Sequence, residues 1–200
     1  MFQSLLDYAW YWFYRIIDTF QPQTQYCVLG YCHSSSYTPQ IFTEITDLLQ
    51  RSFANDDTKS SPIETQYSYS VEFKNFYMTV FKLNYYSSYY TEDNIYNYYI
   101  NGKAGIILTI EVSSHKQDVD DMKDRVQFVL KKIEKRVPVL FLIHGPQDCL
   151  GKCTPAITDM IQMLVKKYDH EEYSCIATKE PGKDGTLYEG LEWLFTTSCK

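Results

Sequence analysis

Apolar and polar positions along the chain follow two periods, and together they predict most of its elements. In residues 1–20 the apolar side chains fall at Phe2, Leu5, Leu6, Ala9, Trp12, Phe13, Ile16, Ile17 and Phe20. That is the i, i+3, i+4, i+7 spacing of one helix face, and Gln21-Pro22 ends it. From residue 25 onward strands and helices alternate. Tyr26–Leu29 reads as a short strand closing on Gly30, and Thr38-Pro39 as a helix start running through Ile41, Ile45, Leu48, Leu49 and Phe53. Tyr67–Phe73 and Phe76–Leu83 alternate with period two and read as a hairpin turning at Lys74-Asn75. Glu92–Ile100 reads as helical, and Gly105–Val112 as a strand buried on both faces. The clearest helix is 116–136, with Asp118, Asp120 and Asp121 in its first turns and Lys131, Lys132, Lys135 and Arg136 in its last, as the helix dipole favours. Val137–Ile143 is a second buried strand. Thr154-Pro155 predicts a helix start, with Ile157, Met160, Ile161 and Leu164 carrying the helix to Tyr168; Tyr173–Ala177 is a strand and Leu187–Phe195 a last helix.

Such alternation predicts an α/β fold with a mainly parallel sheet covered on both faces, whose ligand crevice lies at the carboxyl ends of the strands. Two hundred residues suit one domain with an appendage, so the expected division is 1–22 for the N-terminal helix and 23–200 for the folded domain. A net charge of −6 argues against a nucleic-acid partner bound by bulk charge. Aromatic content is high: 19 Tyr, 11 Phe and 3 Trp, with seven of the tyrosines between Tyr85 and Tyr99, which suits either a core or a contact surface. Six cysteines are scattered along the chain, and Cys27 and Cys175 read as small buried hydrophobes. The spacings Cys27-x4-Cys32 and Cys149-x3-Cys153, with His33 or His144 nearby, do not match the common zinc pairs, so no metal is expected.

The appendage admits several roles. A membrane span would bury Asp7, Arg15 and Asp18; a secretory signal is interrupted by Asp7; a mitochondrial presequence should be rich in Arg and poor in acids. The favoured reading is an amphipathic helix at a membrane interface or in a partner groove. Its contact residues would be Phe2, Leu5, Leu6, Trp10, Trp12, Phe13, Ile16, Ile17 and Phe20, and the plain alternative is packing on its own domain. Phe2 stands where N-myristoylation needs Gly, and the polar face is not basic, so its own attraction to anionic lipid is weak.

Three stretches carry a family likeness: Val71-Glu72-Phe73-Lys74-Asn75, Gln147-Asp148, and Asp184-Gly185-Thr186-Leu187-Tyr188-Glu189-Gly190-Leu191-Glu192-Trp193-Leu194. In order and spacing the chain resembles an Arf/Sar-family small GTPase from end to end, and its N-terminal helix resembles that family's membrane-binding helix, particularly in the Sar branch. The resemblance implies a small-GTPase-like P-loop fold with a six-stranded, mainly parallel sheet. It also assigns the working loops, and in each of them this chain departs from the family.

A phosphate loop needs G-x4-G-K-[ST], because backbone N–H groups cradle phosphates, Lys neutralises them and the hydroxyl holds Mg²⁺. The matching stretch keeps Gly30, but after Ser34 it places Ser35 for the second Gly, Ser36 for Lys and Tyr37 for the hydroxyl ligand. Ile63 stands for the first-switch Thr. In the second switch Lys82 replaces the metal-linked Asp, Asn84 the phosphate-sensing Gly and Tyr86 the water-positioning Gln. The guanine-reading N-K-x-D becomes Gly145-Pro146-Gln147-Asp148, where only Asp148 survives. Each charged hydrogen bond to phosphate is worth about 1.5–3 kcal/mol, so four losses weaken binding by roughly four to eight powers of ten. No G-x-S-x-G elbow or paired-carboxylate signature supplies another chemistry.

The sequence therefore leads to the expectation of a pseudo-GTPase with no catalytic residue and no cofactor, serving as an accessory subunit among the proteins of a membrane-associated assembly. The site would be the cytoplasmic face of an endomembrane, or a mitochondrial membrane complex reached without a cleaved presequence. The competing expectation is an atypical Arf/Sar-type GTPase that still binds GTP or GDP and cycles at a membrane.

Overall fold

The computed structural model describes residues 24–31, 43–45, 47–48, 63–64, 68–73, 76–83, 100–112, 118–178 and 185–198. The predicted N-terminal helix, the expected phosphate-loop stretch from Ser34 to Tyr37 and all but Ile100 of the helix expected at Glu92–Ile100 lie outside them.

Among the described residues seven strands are present, one more than expected: β1 (Thr24–Tyr31), β2 (Ile63–Glu64), β3 (Ser68–Phe73), β4 (Phe76–Leu83), β5 (Gly105–Glu111), β6 (Val139–His144) and β7 (Tyr173–Thr178). The extra strand, β2, is only two residues long, too short to show an alternation in sequence. The sheet order is β2-β3-β4-β1-β5-β6-β7. β1 pairs in parallel with both β4 and β5, and the parallel pairing continues through β6 to β7. β3 lies antiparallel to β4, with Phe73 opposite Phe76, which is the expected hairpin; β2 adds antiparallel to its outer edge.

Among the described residues three long helices are present, α1 (Asp118–Lys132), α2 (Gln147–Lys167) and α3 (Thr186–Ser198), and residues 43–45 and 47–48 are helical as well. They cover both faces. On one face Cys27, Leu29, Ile106, Leu108, Phe141 and Ile143 meet Met122, Val126 and Val129 of α1 and Ile157, Ile161 and Leu164 of α2. On the other, Tyr26, Val28, Ile107, Leu140 and Leu142 meet Ile45 together with Leu187, Leu191 and Leu194 of α3. Successive strand residues thus serve opposite faces, and burial on both accounts for the nearly continuous apolar runs of β5, broken only by Thr109, and of β6. Tyr26 is fully buried; its ring packs edge-on against Phe195 at 4.9 Å, and its hydroxyl meets Ser198 Oγ at 2.6 Å. Because the Ser198 hydroxyl donates to the Leu194 carbonyl at 2.8 Å, the Tyr26 hydroxyl is the donor to Ser198.

Two helix boundaries depart clearly from expectation. The helix expected at 116–136 ends at Lys132, so Lys135 and Arg136 lie beyond it in the turn before β6. Thr154-Pro155 does not start a helix; Pro155 lies inside α2, which begins eight residues before it, at Gln147. The apolar stripe explains this: Leu150 is buried and Cys153 half-buried, and they continue the face formed by Ile157, Ile161 and Leu164 back through the proline. Pro155 itself is exposed, as is Gly151 four residues before it, the position whose carbonyl loses its donor.

Candidate functional site

The chain leaves β1 toward one side of the sheet and β5 toward the other, so strand order reverses at the β1–β5 pair. Ligands of open α/β sheets bind outside the carboxyl ends of the strands at such a point. Here that edge is formed by Gly30 and Tyr31 of β1, Glu111 and Val112 after β5, His144 and Gly145 after β6, and Thr178 ending β7.

Register decides which of the expected site residues meet. Gly30 lies opposite Lys82 of β4 on one side and Thr109 of β5 on the other. The glycine expected in a phosphate loop and the lysine expected in a second switch are therefore neighbours in the paired backbones. Thr109 is buried and its hydroxyl donates to the Leu29 carbonyl at 3.4 Å, which occupies it within the sheet. Ile63 is not brought to this edge. It pairs with Ser70, which is opposite Thr79, which in turn is opposite Cys27, so it lies level with Cys27 and with β3 and β4 between it and β1. Asn84 and Tyr86, like Ser34, Ser35, Ser36 and Tyr37, lie outside the described residues.

The loop after β6 is the best defined part of the edge. His144 continues the β6 ladder opposite Glu111 and Thr178, and its carbonyl accepts the Val112 N–H at 2.8 Å. Burial pushes its imidazole down to a pKa of about 4, so the ring is neutral at physiological pH and brings no positive charge to the crevice. Gly145 follows with φ +155°, and a Cβ there would lie 2.6 Å from the Val112 carbonyl oxygen. Pro146 is the N-cap of α2; its carbonyl accepts from both Cys149 at 2.9 Å and Leu150 at 3.0 Å, with no side-chain cap. Asp148 is exposed in the first turn. With Glu111 and with Asp118, Asp120 and Asp121 at the start of α1, it gives this end of the molecule an excess of acidic positions.

The described cysteines do not assemble, and Cys32 and Cys199 lie outside the described residues. Cys27, Cys149, Cys153 and Cys175 are free thiols, and among the described residues no group of three or more His, Cys, Asp or Glu is placed to hold a metal ion. Burial pushes the Cys27 thiol up to about 12 and raises that of Cys175, so neither is a ready nucleophile. No described helix is long and apolar enough to cross a membrane.

Reasoning from sequence missed two features of this loop: the neutral, half-buried His144 and the backbone clamp at Gly145. The second had a visible trace, since a glycine directly after a buried strand marks a close backbone approach or an unusual φ. Compared with known proteins, the chain matches no family model and no curated protein.

Proposed function

We propose that this chain is an Arf-like pseudo-GTPase: a small-GTPase-type P-loop fold retained as a non-catalytic, protein-interacting accessory subunit of a membrane-associated complex. Residues 1–20 are its membrane or partner contact.

The observation that carries the reading is Gly145. In the family this position belongs to an Asn that reads guanine, and here the backbone leaves no room for any side chain, because a Cβ would lie 2.6 Å from the Val112 carbonyl oxygen. The loss is then one of backbone course as well as of residue type. The surroundings point the same way. His144 is uncharged, and the nearby chain positions Glu111 and Asp148, with Asp118, Asp120 and Asp121 in the first turn of α1, add negative charge toward the end of the sheet a polyphosphate would approach, against Lys82 on β4. The sheet order supports the fold assignment, with a crevice at the β1–β5 reversal where such a ligand would be sought.

The test is direct. The full chain, purified natively, is denatured and its supernatant examined for guanine nucleotide by mass spectrometry, and the protein is titrated with Mg·GDP and Mg·GTP by calorimetry. No stoichiometric nucleotide and no measurable heat are expected. One GDP or GTP per chain would refute the reading and establish the atypical GTPase in its place, with the exposed Asp148 as its surviving guanine contact.

A further inference from the structure

The two edges of the sheet are built differently. β2 closes one of them with two residues, one of which is Glu64. An edge strand that is short and charged gives another strand little to pair with. β7 closes the other with six residues, Tyr173-Ser174-Cys175-Ile176-Ala177-Thr178, which include no charge and no proline. Its register with β6 runs without a break, so no bulge turns it aside. Tyr173, Ser174, Cys175 and Ile176 are half-buried and Ala177 is exposed, whereas Val139–Ile143 beside them are buried.

Register shows which backbone groups this edge presents. The Val139 N–H donates to the Glu172 carbonyl at 3.1 Å, and Val139 is level with Tyr173. In a parallel ladder alternate residues turn to the same neighbour. Glu172, Ser174, Ile176 and Thr178 therefore address β6, while Tyr173, Cys175 and Ala177 turn N–H and C=O outward. Among the described residues no strand lies beyond them.

The outward groups are complementary to themselves. An antiparallel copy of β7 centred on Cys175 sets Cys175 opposite its own copy and Tyr173 opposite Ala177. Each such pair exchanges both of its hydrogen bonds, so the three outward residues of each copy close with no group left over. The helices leave room for this. α2 touches β6 and β7 alike, and its Thr158 Oγ1 lies 3.9 Å from Cys175 Sγ. An axis midway between two strands about 4.8 Å apart is carried by the two-fold to roughly 10 Å from its copy, the separation at which helices pack. Gly190 of α3 faces both Ile176 of β7 and Leu140 of β6, so α3 is also set in from the edge. The paired α2 helices would run antiparallel, with the Lys166 and Lys167 end of each toward the Asp148 end of the other and their dipoles opposed. Thr154, Thr158 and Gln162, one row of α2 through the contact with Cys175, carry no charge to repel a copy.

We propose that β7 is a self-pairing edge: two copies of the chain join through antiparallel β7 strands about a two-fold axis at Cys175, in one sheet continuous across the dimer. The crevice at the β1–β5 pair lies two strands in from this edge, and the inference does not depend on what binds there.

The test combines sedimentation velocity of the full chain over a concentration series with residue-resolved hydrogen exchange at its dilute and concentrated ends. The same measurements are made on Ala177→Pro, with thermal melting as the folding control. Ala177 is exposed and its N–H points away from β6, so proline there removes no bond of the β6–β7 ladder. The wild type should pass from one chain to two and stop there. The Tyr173, Cys175 and Ala177 amides should exchange about tenfold or more slowly in the dimer. Ala177→Pro loses one hydrogen bond from each copy and should dimerise about tenfold or more weakly. A chain that stays monomeric throughout, grows beyond two copies, or dimerises with those three amides exchanging at the monomer's rate overturns the inference. So does a folded Ala177→Pro chain that dimerises as tightly as the wild type. If that variant does not melt cooperatively, amide protection in the wild type decides alone.

Discussion

Replacing Gly145 by alanine is the sharpest single test of the crevice geometry. The added Cβ would lie 2.6 Å from the Val112 carbonyl oxygen and 3.3 Å from both Val112 N and Val112 Cβ, at a φ of +155°. Val112 is buried and its N–H donates to the His144 carbonyl at 2.8 Å, so its backbone has no free direction in which to retreat. Overpacking of this kind costs about 1–3 kcal/mol, and a side chain held at such a φ costs a further 1–3 kcal/mol or so. Relaxation shares part of the two, and a loss of about 2–4 kcal/mol is expected, or roughly 5–15 °C in Tm for a chain of this length. Gly151→Ala is the internal control. It lies six residues on, exposed in α2, with nothing within 4 Å of its Cβ, and should gain about 0.5–1 kcal/mol. Urea titration of the two variants beside the wild type decides the matter. A Gly145→Ala chain within about 0.5 kcal/mol of wild type would show that the loop is free to move, and the backbone argument against a guanine-reading side chain would fail.

Three further outcomes follow from the core. Burial lowers the His144 pKa from 6.5 to about 4, so the fold prefers the neutral ring; its contribution is complete above pH 6.5 and is lost as pH falls toward 4, about 2 kcal/mol by pH ~5. His170, also held down by burial, acts in the same direction, and His144→Gln should remove most of the extra slope in stability between pH 7 and 5; an unchanged slope refutes the assignment. Tyr26→Phe should cost about 1 kcal/mol in chemical denaturation by deleting the hydrogen bond to Ser198, and a neutral effect would show that the contact contributes nothing. Pro155→Ala restores a backbone donor inside α2 and should raise stability by about 1–3 kcal/mol; a destabilised variant would mean that the proline shapes the helix against its neighbours.

What the sequence conveyed depended on how local the signal was. β5 and β6 were readable because burial on both faces demands nearly continuous apolar runs, as in Gly105–Glu111 and Val139–His144. α1 was readable from Met122, Val126 and Val129 and from the acids and lysines at its ends. Pro155 misled because proline at a first turn and proline on the exposed face of a continuing helix look alike until the burial of Leu150 is known. β2 escaped because two residues carry no period. At the candidate site the residue replacements were visible in the sequence, but their placement was not. That Gly30 lies opposite Lys82, and that Ile63 lies level with Cys27, depends on pairing between strands tens of residues apart. The neutral state of His144 depends on burial by residues distant in sequence.

Register and backbone together bear on whether the proposed loss of nucleotide binding is reversible. Ser36→Lys with Tyr37→Ser would return two of the family's phosphate and magnesium contacts, worth about 3–6 kcal/mol if both form, or roughly two to four powers of ten in affinity. That leaves about half of the deficit. Lys82 still holds the position across from Gly30, and Gly145 still leaves no room for the guanine-reading side chain. On the proposed reading the double variant stays at least a hundredfold or so weaker than a chain with all contacts in place. Calorimetry with Mg·GDP measures it. Submicromolar binding by the double variant would mean that the crevice was intact apart from two side chains, and that neither the clamp at Gly145 nor the charge at Lys82 keeps nucleotide out.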